Sequence, residues 1–186
     1  CINALPSFFK DVLLGKNDNL LTKHLVNEVQ LDKVKNVVFF LVDGFGAKQW
    51  QDYKTKLKVL RKFEQEGYLS KLDSVFPSST PVALNTLHSG LMPAEHGLMD
   101  WWLYIEELDK IIAPLPFTQM GYDEMDSLLR TGVSPSILLN NETTFENFES
   151  IGIKTRGFTL DDYVQSAYTK TAFKGCPAPI FARTMC

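Results

Sequence analysis

Cysteine and histidine are both scarce in this chain, with three of each among 186 residues. Cys1, Cys176 and Cys186 follow no zinc-binding spacing and cannot build a disulfide framework, so a reducing, cytoplasmic setting is expected. Long apolar runs are missing as well. Nothing approaches the roughly 18–20 residues of a membrane span, and no membrane association is expected. The first residues, Cys1 to Leu14, have neither a basic flank nor a small-residue cleavage site and do not read as a signal peptide. Charge of one sign is also lacking. The net charge is -3, Lys and Arg are spread along the chain, and no basic block points to a nucleic acid polymer. There are no internal repeats and no low-complexity tract.

What is present is an ordinary globular balance, 45% hydrophobic and 22% charged. The length suits a single domain spanning residues 1–186. Pro6 to Leu14 carries Phe8, Phe9, Val12 and Leu13 at helical spacing, with Gly15 as a stop. Asn19 to Val29 reads as a weaker helix. Asn36 to Val42 is apolar without alternation, the pattern of a parallel strand covered on both faces, and it ends at the turn Asp43-Gly44-Phe45-Gly46. Trp50, Tyr53, Leu57 and Leu60 predict an amphipathic helix ending near Gly67; the Lys-rich stretch from Lys54 to Lys62 is its wet face. Leu69 to Phe76 reads as a second strand. Thr80 as N-cap and Pro81 as first helical residue predict a helix whose buried stripe is Leu84, Leu87 and Leu91. A hairpin is expected from Trp101 to Glu106 and Lys110 to Ala113, a helix from Thr143 to Ser150, and a third core strand from Gly152 to Phe158. The least regular stretch, Pro114 to Pro135, is a candidate lid over a site. Strands alternating with helices imply an α/β fold, a mostly parallel sheet with helices on both faces. Such sheets bind ligands at the carboxyl ends of their strands, where Asp43 and Thr80 both fall.

A carboxylate at the end of a buried strand is a hard oxygen ligand for a divalent metal, although Asp-Gly is equally a plain turn dipeptide. Thr80 opens a helix, where N–H groups and the dipole favour a phosphate. A hydroxyl there can act as a nucleophile if a metal lowers its pKa, and it is equally a simple cap. Trp101, Trp102 and Tyr104 can stack on a ring, or can serve a half-buried strand.

Taken together and in order, the segments resemble a known family. Val37-Val38-Phe39-Phe40-Leu41-Val42-Asp43-Gly44-Phe45-Gly46 is similar to the metal-binding first strand of the type I phosphodiesterase/nucleotide pyrophosphatase family, in the alkaline phosphatase superfamily. The stretch from Val75 to Gly97, with Phe76-Pro77-Ser78-Ser79-Thr80, then Gly90-Leu91, Pro93 and Glu95-His96-Gly97, resembles that family's nucleophile segment. Asp161 to Thr169 resembles a stretch that follows its third strand. The resemblance implies an incomplete three-layer α/β/α sandwich with a mostly parallel sheet, alkaline-phosphatase-like. It implies two divalent metal ions, usually Zn2+, and a small-molecule phosphoester substrate. Thr80 falls at the nucleophile, which also binds metal, and Asp43 at the first metal ligand.

The family's later ligand stretches, Asp-x-x-x-His, Asp-His-Gly and a final His, have no counterpart here. Of the three histidines, His24 reads as a surface or packing residue, His88 as packing beside its helix, and His96 as shaping the Glu-His-Gly turn. The chain is therefore expected to be the N-terminal portion of a phosphodiesterase catalytic domain, inactive or nearly so by itself. The alternative is a non-catalytic remnant or anion-binding module of the same fold.

Overall fold

The computed structural model describes residues 2–16, 18, 21, 23, 33–177 and 180–182, the last three by backbone alone. The predicted helix from Asn19 to Val29 and His24 fall outside this set, apart from Leu21 and Lys23. The chain divides into two compact units, one holding Ser7–Asp73 and the other Ile2–Pro6 with Ser74–Cys186.

In the first unit, helix α1 covers Leu5–Leu14, beginning on the second unit's residues, and ends at Gly15, whose φ of 65° suits glycine. Its Phe9 ring packs on Phe39 at 5.0 Å. The segment from Asn36 to Val42 has no regular secondary structure and joins no ladder among the described residues. Val38 and Phe40 are 74% and 80% exposed. The expected central strand is thus not formed. An apolar run records a demand for cover on both faces, and a strand exists only where another strand accepts its N–H and C=O groups. The Asp43-Gly44 turn is as expected, with Gly44 at φ 68°. The predicted amphipathic helix is two helices, α2 (Ala47–Tyr53) and α3 (Lys58–Glu66), separated at Leu57, which is extended. The stretch from Leu69 to Asp73, like its continuation to Phe76 in the second unit, forms no strand.

The second unit carries the core. After a cis Phe76–Pro77 peptide, helix α4 spans Thr80–Ser89 and closes on Gly90 in the left-handed region. The short helix α5 (Pro93–His96) follows. Strands β1 (Leu103–Ile105) and β2 (Lys110–Ala113) form the expected antiparallel hairpin, pairing Leu103 with Ile112 and Tyr104 with Ile111. A third strand, β3 (Thr118–Gln119), extends the sheet antiparallel to β2. Alternation places Ile105 and Ile112 in the core and Tyr104 and Ile111 outside. Helix α6 (Thr144–Ser150) lies where a helix is expected, and the structure adds a capping box between Thr143 and Glu146. Strand β4 (Phe158–Leu160) lies later than the predicted third strand, and Phe158 is exposed. Helices α7 (Asp161–Val164) and α8 (Ala167–Ala172) follow, and β4 pairs parallel with β5 (Ile180–Ala182).

The stretch from Pro114 to Pro135 is built into this unit: Phe117 and Leu128 are fully buried, and the Asp126 carboxylate accepts two bonds from the Ala167 N–H at 3.0 and 3.1 Å. The architecture is therefore mixed helix and strand with a small antiparallel sheet. The mostly parallel sheet of a three-layer sandwich is not seen among the described residues.

Candidate functional site

Asp43 belongs to the first unit, exposed at the turn that ends the apolar segment. Thr80 belongs to the second unit and is partly buried. Each position is fixed within its own unit.

The start of α4 differs in one respect from expectation. Ser79, extended at φ -78° and ψ 155°, is the N-cap, and its carbonyl accepts the first helical bond from the Ala83 N–H at 3.0 Å. Thr80 is thus the first helical residue and Pro81 the second, where the missing proline N–H costs nothing. The Ser79 hydroxyl is buried without a hydrogen-bond partner among the described residues.

The buried stripe of α4 also departs from the leucine pattern. Leu84 and Leu91 are only partly buried, whereas Val82, Asn85 and Thr86 are wholly enclosed. Helix α4 is surrounded by neighbours and not laid on one face: the 3-10 turn Ile2–Ala4, α5, α6 and α8 all pack against it. That arrangement explains the weak apolar period of Thr80–Ser89, since a helix covered on several sides has no single wet face.

His96 has the structural role assigned to the Glu-His-Gly turn. The Leu98 N–H donates to its Nδ1 at 3.1 Å, so the neutral ring carries its proton on Nε2 and donates to the Thr86 hydroxyl at 3.1 Å. Glu95 closes the turn by accepting the Met92 N–H at 2.7 Å, and Gly97 supplies the left-handed residue. Burial lowers the His96 pKa, opposed by a backbone bond of the turn and by Glu95. With both nitrogens engaged, His96 is no metal ligand as placed. His88 packs among Phe145, Tyr168 and Phe173.

Trp101 and Trp102 precede β1 and are each 43% exposed; only Tyr104 of the three lies in the strand, facing outward. One surface depression, about 610 Å³, is lined by Leu108, Val133 and Ile137 with the polar Thr131, Ser134, Ser136 and Asn140, and by none of the residues singled out from the sequence. No group of three or more His, Cys, Asp or Glu among the described residues is arranged to hold a metal ion. One carboxylate and one hydroxyl do not complete a two-ion site, so the residues present do not fit a closed metal centre. Among the described residues no helix is long and apolar enough to cross a membrane.

Residues 37–174 match the model of a family described as type I phosphodiesterase / nucleotide pyrophosphatase. Searches of curated proteins and of solved structures return no match.

Proposed function

The chain belongs to the type I phosphodiesterase/nucleotide pyrophosphatase family, and from that premise we propose that it provides Thr80 as the nucleophile for hydrolysis of small phosphoesters. Membership implies phosphodiesterase- or pyrophosphatase-type hydrolysis in a generally metal-dependent family that acts on small phosphoesters. Thr80 as nucleophile and Asp43 as a metal ligand are our reading. The observation that carries it is the placement of Thr80 as the first residue of a ten-residue helix, partly buried. A phosphoryl group there meets the positive end of the helix dipole and the N–H groups that helices leave unpaired at their start. Attack by Oγ1 would form a phosphothreonine and release the ester alcohol, and water would then restore the hydroxyl.

Metal ions in this family, zinc in our reading, would supply charge neutralisation and activation of the hydroxyl. Asp43 would contribute a carboxylate to them. The remaining donors are not assembled among the described residues, so we assign this chain little or no turnover by itself. The same observation favours a second reading, a non-catalytic module that binds an anion at the start of α4.

The test is hydrolysis of a p-nitrophenyl phosphodiester by the protein carrying a full ligand set. Thr80→Ala is expected to abolish turnover with the fold intact, and retained turnover would remove Thr80 from its role. Asp43→Asn is expected to lower bound zinc per chain, and unchanged metal content would remove the ligand assignment. Phosphate binding without turnover in the unaltered protein would favour the module.

A further inference from the structure

Four consecutive residues of α4 are each tied to a different element. The Asn85 side-chain amide donates to the Leu138 carbonyl at 3.3 Å. The Thr86 hydroxyl meets His96 Nε2 at 3.1 Å. The Leu87 carbonyl accepts from the Thr144 hydroxyl at 2.7 Å. His88 Nδ1 meets the Tyr168 hydroxyl at 3.3 Å. The partners lie on the cap of the 3-10 turn Pro135–Ile137, on α5, at the start of α6 and on α8.

A helix turns by about 100° per residue, so the side chains of Asn85, Thr86 and His88 leave the axis in three directions. Bonds in three directions fix the rotation of the rod as well as its position. Apolar contacts, such as those of the buried Pro81 and Val82 in the first turn, are non-directional and resist sliding and tilting less sharply. Leu87 is in the last turn, where a carbonyl has no helical partner, and Thr144 fills that place.

We propose that these four attachments form a collar that positions Thr80. The collar grips the carboxyl-terminal half of α4 and presents its first turn at a set angle. Thr86 lies six residues along, about 9 Å from Thr80 at 1.5 Å per residue, so a 10° tilt about the collar moves Thr80 by about 1.5 Å. A misplacement of about 1 Å at a reacting group can cost on the order of 100-fold in rate, so the collar matters on the scale of chemistry. Asn85, Thr86, Thr144 and His96 are then positioning residues. The proposal rests on Thr80 as the nucleophile.

Amide hydrogen exchange of the 186-residue chain tests it without turnover. Thr86→Val and Thr144→Val each delete one hydroxyl at nearly constant volume. Either is expected to speed exchange at the Ala83 and Leu84 N–H groups about tenfold, the scale of one lost hydrogen bond, while the β1–β2 hairpin keeps its protection. Thr86→Ser, which keeps the hydroxyl, is expected to restore the slow exchange. If Thr86→Val does not fold, Thr144→Val carries the test. Unchanged exchange at Ala83 and Leu84 would overturn the collar. So would a rise shared equally by the hairpin, because a bond that only adds global stability moves both. Failure of the Thr80 assignment would show as turnover retained in Thr80→Ala, and failure of the collar as unchanged exchange in Thr86→Val and Thr144→Val.

Discussion

His88 Nδ1 and the Tyr168 hydroxyl stand 3.3 Å apart, with the His88 ring walled by Phe173 at 5.4 Å and Phe145 at 6.3 Å between centroids. Enclosure by aromatic carbon disfavours charge on both partners. It lowers the His88 pKa from 6.5 to about 4 and raises that of the Tyr168 phenol. At neutral pH the ring is therefore uncharged and the phenol protonated, so Tyr168 can donate to Nδ1 without either group gaining charge.

This pair makes stability fall in mild acid. The unfolded ring takes up a proton near pH 6.5, while the folded ring resists until about pH 4. Stability is thus fully present well above pH 6.5 and is lost as pH falls from there through about pH 4, by an amount on the order of 3 kcal/mol. His96, also lowered, acts in the same direction. Glu146, held below 4.5 chiefly by its bond to Lys174, adds a further loss below that value. Urea midpoints at pH 7.5 and 4.5 should show the decline, and His88→Leu should flatten it. An identical pH slope in the variant would show that His88 titrates normally.

The start of α6 should tolerate little change. Thr143 is buried; its hydroxyl accepts the Glu146 N–H at 3.0 Å and donates to the Lys174 carbonyl at 2.6 Å. Next to it Gly175 has φ 84°, and a β-carbon there would lie 2.5 Å from the Glu146 nitrogen. Thr143→Ala removes both the cap and the bridge and should cost about 1–2 kcal/mol. Gly175→Ala must move backbone and strain its own φ, and should cost about 2–4 kcal/mol. Denaturant unfolding at neutral pH checks both. If Gly175→Ala costs less than Thr143→Ala, the close approach of residue 175 to α6 is wrong.

Features encoded by neighbouring residues were readable from the sequence. The helix after Thr143, the Gly15 and Gly67 stops, the β1–β2 hairpin and the Glu95-His96-Gly97 turn each depend on contacts a few residues apart, and each stands close to where expected. The sheet was not readable, because pairing partners leave no local trace: Val37 to Val42 and Leu69 to Phe76 look like strands and meet no ladder among the described residues. The seating of α4 was misjudged for a related reason. Leucine spacing predicted one buried stripe, but Asn85 and Thr86 are buried because their partners, Leu138 and His96, come from distant or folded-back segments. The one available signal was the run of polar residues in an otherwise apolar helix, which demands bonded partners once buried. For the site, the motifs pointed to Asp43 and Thr80 as candidates, while the ties around α4 emerged only from the packing.

Phe40 offers a direct test of how the first apolar segment is held. In the structure its side chain is 80% exposed, and its neighbours Val38 and Val42 are 74% and 63% exposed. An exposed position tolerates a charge, so Phe40→Lys in the 186-residue chain should alter stability by no more than about 0.5 kcal/mol. It should also reduce light scattering, because six apolar residues without proline or charge are prone to self-pairing. In a sandwich where strands and helices cover the segment, the same lysine would bury an unpaired charge and remove a core ring, costing several kcal/mol. The urea midpoint of the variant therefore separates the two states. A loss above about 2 kcal/mol would mean that the segment is covered in solution, as the sheet of a sandwich requires.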